Sequence, residues 1–174
     1  LRLNQYQQNG YNVSLRDLLQ PSSSQKLIYE LKPNLNLRFM DTMVRTNSLG
    51  FREDEIPVKK NPMEFRILGI GDSTMFGWGI PVEQRYMDLV EQSLNQKQSP
   101  IEIRTYVTAV PGYNLSMIKE SLITQGLNFN PDLVIYGHSD NDFCLPNFLG
   151  APLQIFSTHF FSYFYIQNIL RPSQ

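Results

Sequence analysis

Three short stretches hold the residue types that could do covalent chemistry: Gly71-Asp72-Ser73, Pro111-Gly112-Tyr113-Asn114 and His138-Ser139-Asp140-Asn141-Asp142. A serine hydroxyl attacks an acyl carbon only when a base takes its proton. The attack leaves negative charge on the carbonyl oxygen. Backbone N–H groups or a side-chain amide can hold that charge, at about 3–4 kcal/mol per well-aimed donor. Ser73 supplies a hydroxyl, and Gly112 a backbone that a substrate oxygen can approach closely. Asn141 supplies a neutral amide, where a carboxylate would repel the developing anion. The histidines are His138 and His159.

Each stretch follows an apolar run of strand length. Residues 65–70, FRILGI, read as a buried parallel strand ending at Gly71. Ile101, Ile103, Thr105 and Val107 predict a second strand, and Leu133-Val134-Ile135-Tyr136 a third. Val82, Tyr86, Leu89, Val90 and Leu94 recur at helical spacing and predict a helix over 83–95. Asn114 is a candidate N-cap for a second helix with an apolar face of Leu115, Ile118, Leu122 and Leu127. A third helix, amphipathic and buried, is predicted over 153–170. Strand alternating with helix predicts an α/β fold with a parallel sheet between two helical layers. In such sheets ligands bind beyond the carboxyl ends of the strands, which is where all three stretches fall. Three strands make a thin sheet, so further strands are expected beyond residue 174, and the isolated chain is expected to be marginally stable with an exposed edge.

Ahead of this unit, residues 1–62 read as an N-terminal extension. Leu35, Leu37 and Phe39 alternate with polar residues as one strand of a hairpin, which turns at Asp41-Thr42 into a second strand over 43–46. Residues 47–50, NSLG, predict another turn, PSSSQ at 21–25 a loop, and EDEIPVKKNP at 53–62 a charged linker.

The blocks GDSTMFGWGI from residue 71, VPGYN from residue 110 and DND at 140–142 resemble, in order and in strand context, the first three conserved blocks of the SGNH/GDSL serine hydrolases. NSLGFRE at 47–53 resembles a stretch found upstream of the catalytic domain in bacterial members. The resemblance covers roughly residues 47–170. It implies a flavodoxin-like α/β/α fold, with residues 63–174 forming a partial hydrolase domain. It also implies that Ser73 is the nucleophile, and that the Ser73 N–H, the Gly112 N–H and the Asn141 amide form the oxyanion hole. Asp72, His138 and Trp78 fall at the expected cleft. The substrate class that the resemblance implies is a small-molecule or glycan ester, either a carboxylic ester or an O-acetyl group, with no cofactor or metal.

The chain departs from that family in two respects: Ser139 stands where a glycine often sits two residues before the asparagine, a turn that Gly137 can serve instead, and the base is missing. The family's base and its orienting acid come as Asp-x-x-His on a late loop, and these residues contain no such pattern. The residue three before His159 is Phe156, so His159 reads as a helix-packing residue. His138, in the Asn141 loop, is the candidate substitute base, provided its ring reaches Ser73 at about 2.6–3.2 Å. Without a base the chain is expected to be truncated before its catalytic histidine and to turn over little or not at all. Three readings follow: an ester hydrolase or mechanistically similar O-acetyltransferase, a non-catalytic acyl- or carbohydrate-binding relative, and a phosphate or nucleotide binder.

Plainer readings compete at single positions. Asp72 reads as a loop-organising acceptor, and Gly137 as a strand end. Asp140 and Asp142 read as solvated carboxylates rather than a metal pair. Gly77 and Gly79 lack the lysine of a phosphate loop. Arg52 reads as packing the extension onto the domain, and the aromatic residues as core.

Composition sets the outer bounds. A chain of 174 residues is long enough for one core. A formal net charge of −1 without a basic run argues against nucleic acid as a partner. One cysteine, Cys144, excludes an internal disulfide and a cysteine-based zinc site. The first residue is Leu1 and no signal peptide is visible, so the front reads as trimmed. Any signal that exports or anchors the parent protein is not in view.

Overall fold

The computed structural model describes residues 12–97 and 99–143. Cys144, His159 and the helix predicted over 153–170 lie outside the described residues. A short helix α1 (Leu15–Leu18) leads into β1 (Leu19–Pro21), which pairs antiparallel with β2 (Tyr29–Leu31). These strands of three residues are too short to show a periodicity, and the sequence reading has only a loop there. Next come the antiparallel pair β3 (Asn36–Phe39) and β4 (Thr42–Arg45). Leu37 and Phe39 are buried and Asn36 and Arg38 exposed, as the alternation predicts.

The hairpin turns at Met40 and Asp41, one residue earlier than expected, with φ of 48° and 61°. Two successive left-handed residues give a turn whose twist matches the flanking strands. Asn12 holds this strained pair: its Oδ1 accepts from Asp41 N–H at 2.9 Å, and its amide donates to Asp41 Oδ1 at 2.9 Å.

The main unit is β5 (Glu64–Gly71), α2 (Ser73–Phe76), a 3-10 turn (Val82–Gln84), α3 (Tyr86–Asn95), β6 (Glu102–Val107), α4 (Leu115–Thr124), a second 3-10 turn (Gly126–Phe129) and β7 (Leu133–Gly137). The three strands form one parallel sheet in the order β6-β5-β7. The chain therefore moves from β5 to one side, then crosses back to the other. Thr105 sends its hydroxyl to the Met87 carbonyl of α3, whereas the neighbouring Tyr106 meets the Phe129 ring behind the sheet. Helices thus pack on both faces, and the α/β class holds.

Two predicted helix faces need correction. On α3, Leu89 and Leu94 are exposed, as are Val82 and Tyr86, and the buried residue is Met87. The reason is that α3 serves the free edge of β6 with polar groups. Ile103 N–H donates to Asn95 Oδ1 at 2.9 Å and Thr105 N–H to Glu91 Oε2 at 2.5 Å. Val107 N–H donates to Glu53 Oε1 at 2.8 Å. Alternate donors of an edge strand are thereby satisfied by side chains, a device that blocks edge-to-edge pairing. On α4 the buried residues are Met117, Ile118 and Ser121, while Leu115 and Leu127 are exposed. The helix ends at Thr124, so Leu127 lies in the following 3-10 turn rather than on its apolar face. The predicted cap stands: Asn114 Oδ1 accepts from Met117 N–H at 3.1 Å.

The amino ends of the strands are bolted by charge. The fully buried Arg66 donates to Glu64 Oε1 at 2.7 Å and to the Phe129 carbonyl at 2.8 Å, and Lys60 pairs with Asp132. The third strand lies at the other edge, where Leu133, Val134 and Tyr136 are exposed.

Candidate functional site

At the carboxyl end of β5 the chain must turn at once from strand to helix. Asp72 is fully buried and caps α2, accepting from Thr74 N–H at 3.1 Å. Ser73 is the first residue of α2, and its hydroxyl donates to Asp72 Oδ2 at 3.3 Å. The helix closes at Gly77 in the left-handed region, φ 79°. Glycine is needed there, because an added Cβ would also crowd the Arg85 and Arg52 side chains. Gly77 is therefore a helix C-cap.

Register brings the other loops to the same rim. Gly71 pairs with Gly137 across β5 and β7, so His138 begins its loop beside Asp72. Gly69 pairs with Val107, and Thr108 N–H donates to the Gly69 carbonyl at 3.0 Å, which carries the Pro111-Gly112 loop to this end. Leu115 N–H donates to the Asp142 carbonyl at 2.8 Å and fastens the Asn141 loop to the start of α4. Gly112 has φ 82°, a conformation that favours glycine. Ser73, at the start of α2, and the Gly112 and Asn141 loops thus each follow the carboxyl end of one of three neighbouring strands. Trp78 lies five residues past Ser73; its N–H donates to the Ser73 carbonyl at 3.0 Å, and its ring packs edge-on against Phe39 of the hairpin at 4.8 Å.

Asp142 departs from expectation. It is not solvated: it is 1% exposed. Its Oδ2 accepts from Ser139 N–H at 2.9 Å and from the Tyr136 hydroxyl, and His138 Nδ1 lies 3.2 Å away. Its Oδ1 is buried with no partner among the described residues. Desolvation and the Asp142 acceptor push the Tyr136 phenol up to about 12. It therefore stays protonated, and a donor, at neutral pH. Tyr29 is raised too, by burial first and then by the charge on Asp72, and Tyr86 by burial, with the Arg85 charge opposing and Asp72 adding a smaller push.

Among the described residues no group of three or more His, Cys, Asp or Glu side chains could hold a metal ion, and no helix is long and apolar enough to cross a membrane. No family model matches this chain, and no curated protein matches it.

The extension buttresses this rim from behind, a role only partly visible in the sequence. Arg52 donates to the carbonyls of Phe76 at 3.1 Å, Gly77 at 2.8 Å and Ile80 at 2.8 Å, just past the Ser73 helix. Glu53 pairs with Arg85 at 2.7 Å. Burial raises its carboxyl to about 7, the Arg85 guanidinium opposing the rise. An Arg-Glu pair at the head of a segment with no apolar periodicity gives no local sign of burial. Of the aromatic residues around the cleft, Phe76 and Tyr113 are core, whereas Trp78, Tyr136 and Phe143 are exposed.

Proposed function

We propose that this chain carries the nucleophile and oxyanion-binding loops of an ester hydrolase of the SGNH/GDSL kind, acting on carboxylic ester or O-acetyl groups. The observation that carries the reading is the strand order β6-β5-β7. It makes β5 and β7 flank the point where the chain reverses direction across the sheet, the position at which open α/β sheets bind ligands. The same order, second-first-third, is how flavodoxin-like sheets begin. Ser73 follows the first strand at that point, and the loops of Gly112 and Asn141 end the other two.

In the proposed reaction Ser73 Oγ attacks the carbonyl carbon. The Ser73 and Gly112 N–H groups and the Asn141 amide receive the negative oxygen. Asp72, buried beneath α2, fixes the Ser73 turn rather than acting as an acid. Trp78 stands at the rim as a candidate wall for the acyl or sugar group. If water is the acyl acceptor the product is a free acid; if a sugar hydroxyl replaces it, the same site is an O-acetyltransferase.

The test is covalent labelling with a fluorophosphonate, the adduct being located by mass spectrometry of the peptide containing residue 73. The expected adduct is on Ser73 and vanishes in Ser73→Ala. An adduct on another residue, with Ser73→Ala labelled equally, removes Ser73 from the chemistry.

A further inference from the structure

We propose that Met75 is a positioning residue for Ser73: seated on a bed of three glycines, it fixes the roll of α2 and so the direction in which the Ser73 hydroxyl points. The proposal rests on the Ser73 reading and adds to it what holds the nucleophile in place. α2 has four residues. One turn of helix makes too few internal hydrogen bonds to be stable by itself, so its surroundings must orient it. Its caps, Asp72 and Gly77, mark where it starts and stops. Its rotation about its own axis is left to what it packs against.

Gly69 and Gly71 are two apart on β5, so they share one face of the sheet. Gly137 of β7 pairs with Gly71 and extends that face. Met75 lies across all three. A Cβ on Gly71 would meet Met75 Cβ at 2.8 Å, one on Gly69 its Sδ at 2.7 Å, and one on Gly137 its Cε at 3.1 Å. The side chain thus leaves α2 above Gly71 and runs back along β5 toward Gly69. With no side chain on these positions, α2 comes down onto the strand and Met75 is 0% exposed. The hydroxyl of Tyr86, the first residue of α3, donates to Met75 Sδ. It also stands over Gly137, where an added Cβ would meet Tyr86 Oη at 2.7 Å. The unbranched, polarisable methionine side chain suits so narrow a seat.

Successive residues of an α-helix are about 100° apart around the axis, so residues two apart face roughly opposite ways. Turning Met75 into the sheet therefore turns Ser73 away from it. Ser73 is accordingly half-buried where Met75 is fully buried. The Asp72 carboxylate then takes the Ser73 hydroxyl at 3.3 Å. Without its seat α2 is free to roll and carries the hydroxyl with it. A misplacement of about 1 Å is enough to slow a reaction roughly a hundredfold.

The experiment uses the full 174-residue chain. The readouts are the rate of fluorophosphonate labelling at Ser73 per folded molecule and the midpoint of urea unfolding. Met75→Ala should slow labelling about ten- to a hundredfold, and Met75→Leu, of similar volume, by no more than about threefold. Gly69→Ala combined with Met75→Ala should recover part of the loss, because the new methyl refills part of the seat. A second pair decides the matter if Met75→Ala does not fold. Gly71→Ala pushes on Met75 Cβ and should slow labelling, whereas Gly69→Ala meets the movable Sδ and should not. A merely structural role for Met75 would lower the midpoint and leave the labelling of folded molecules unchanged. Met75→Ala and Gly71→Ala labelling at the unchanged rate, with lower midpoints, overturns the proposal. So does equal slowing in Gly69→Ala and Gly71→Ala, which would mean a general loosening of the sheet. In both cases the unchanged chain still labels at Ser73 and the Ser73 reading survives. If the unchanged chain does not label at Ser73, that reading falls and the proposal falls with it.

Discussion

Tyr29 and Tyr113 hold each other across the boundary between the extension and the parallel-sheet unit. Tyr113 Oη donates to the Tyr29 carbonyl at 2.7 Å, Tyr29 Oη donates to the Pro111 carbonyl at 3.2 Å, and the two rings lie 5.5 Å apart. The pair brackets Gly112, so it pins the loop proposed to supply an oxyanion donor. Both phenols are buried and raised well above their ordinary values, burial being the main cause, so both donate at any physiological pH. Tyr113→Phe removes one buried bond and should cost about 1–2 kcal/mol. Urea unfolding should show a lower midpoint at unchanged slope. No change in midpoint would mean that the bond contributes nothing net.

Arg52 is the second brace. One planar guanidinium reaches the carbonyls of Phe76, Gly77, Ile80 and Met43. A lysine has no fork to span them. Arg52→Lys should therefore destabilise the fold by roughly 2–4 kcal/mol, since hydrogen bonds to charged groups are the stronger kind. Thermal unfolding reads the loss. A variant as stable as the parent would show that these carbonyls find other donors.

Glu53 predicts a pH dependence with a definite sign. Its folded carboxyl is raised to about 7 from an ordinary 4.5, by burial above all. The folded chain therefore holds that proton more tightly than the unfolded chain does. Between pH 4.5 and 7 the unfolded state has lost a proton that the folded state keeps, so this group's contribution to stability falls as pH rises through that window. Glu53→Gln does not titrate. Its stability relative to the parent should improve from pH 4.5 to 7 by on the order of 2 kcal/mol, as denaturant unfolding at several pH values would show. A constant difference would mean that Glu53 stays ionised throughout.

The plugged edge of β6 can be opened. Glu91→Ala leaves the Thr105 N–H without its carboxylate acceptor, and Asn95→Ala does the same at Ile103. Glu91→Ala should cost about 1–3 kcal/mol for the stranded donor, and Asn95→Ala less, because its bond is exposed and water takes its place; the double variant should self-associate through the bared strand. Light scattering against concentration checks it, and a monomeric double variant would assign the protection to something else.

Glycines at the rim should tolerate alanine unequally. At Gly69 a new Cβ would meet the far end of Met75, its Sδ at 2.7 Å, which can swing away. At Gly71 it would meet Met75 Cβ at 2.8 Å and the Gly137 carbonyl at 2.9 Å, neither of which can move without the backbone. Gly71→Ala should thus be the more damaging of the two, by about 1–3 kcal/mol. Similar unfolding midpoints for the two variants would count against so rigid a rim.

What was legible in the sequence is what short-range pattern controls. The runs that became β5, β6 and β7, the Asn114 cap and the alternation of β3 each depend on neighbours a few residues away, and so leave a local period or spacing. The placement of three chemistry-bearing stretches just past three strands follows from the same patterns. Tertiary structure alone decided the rest. Whether a polar residue is buried depends on a partner that can lie anywhere in the chain. Glu53 meets Val107 across 54 residues, and Tyr113 meets Tyr29 across 84. The Asp142 carboxylate, read as solvated, is buried by partners its own segment does not announce. The outward turn of the α3 leucines has the same cause. Its inner face is set by the unpaired N–H groups of β6, a demand that exists only once the strand has become an edge.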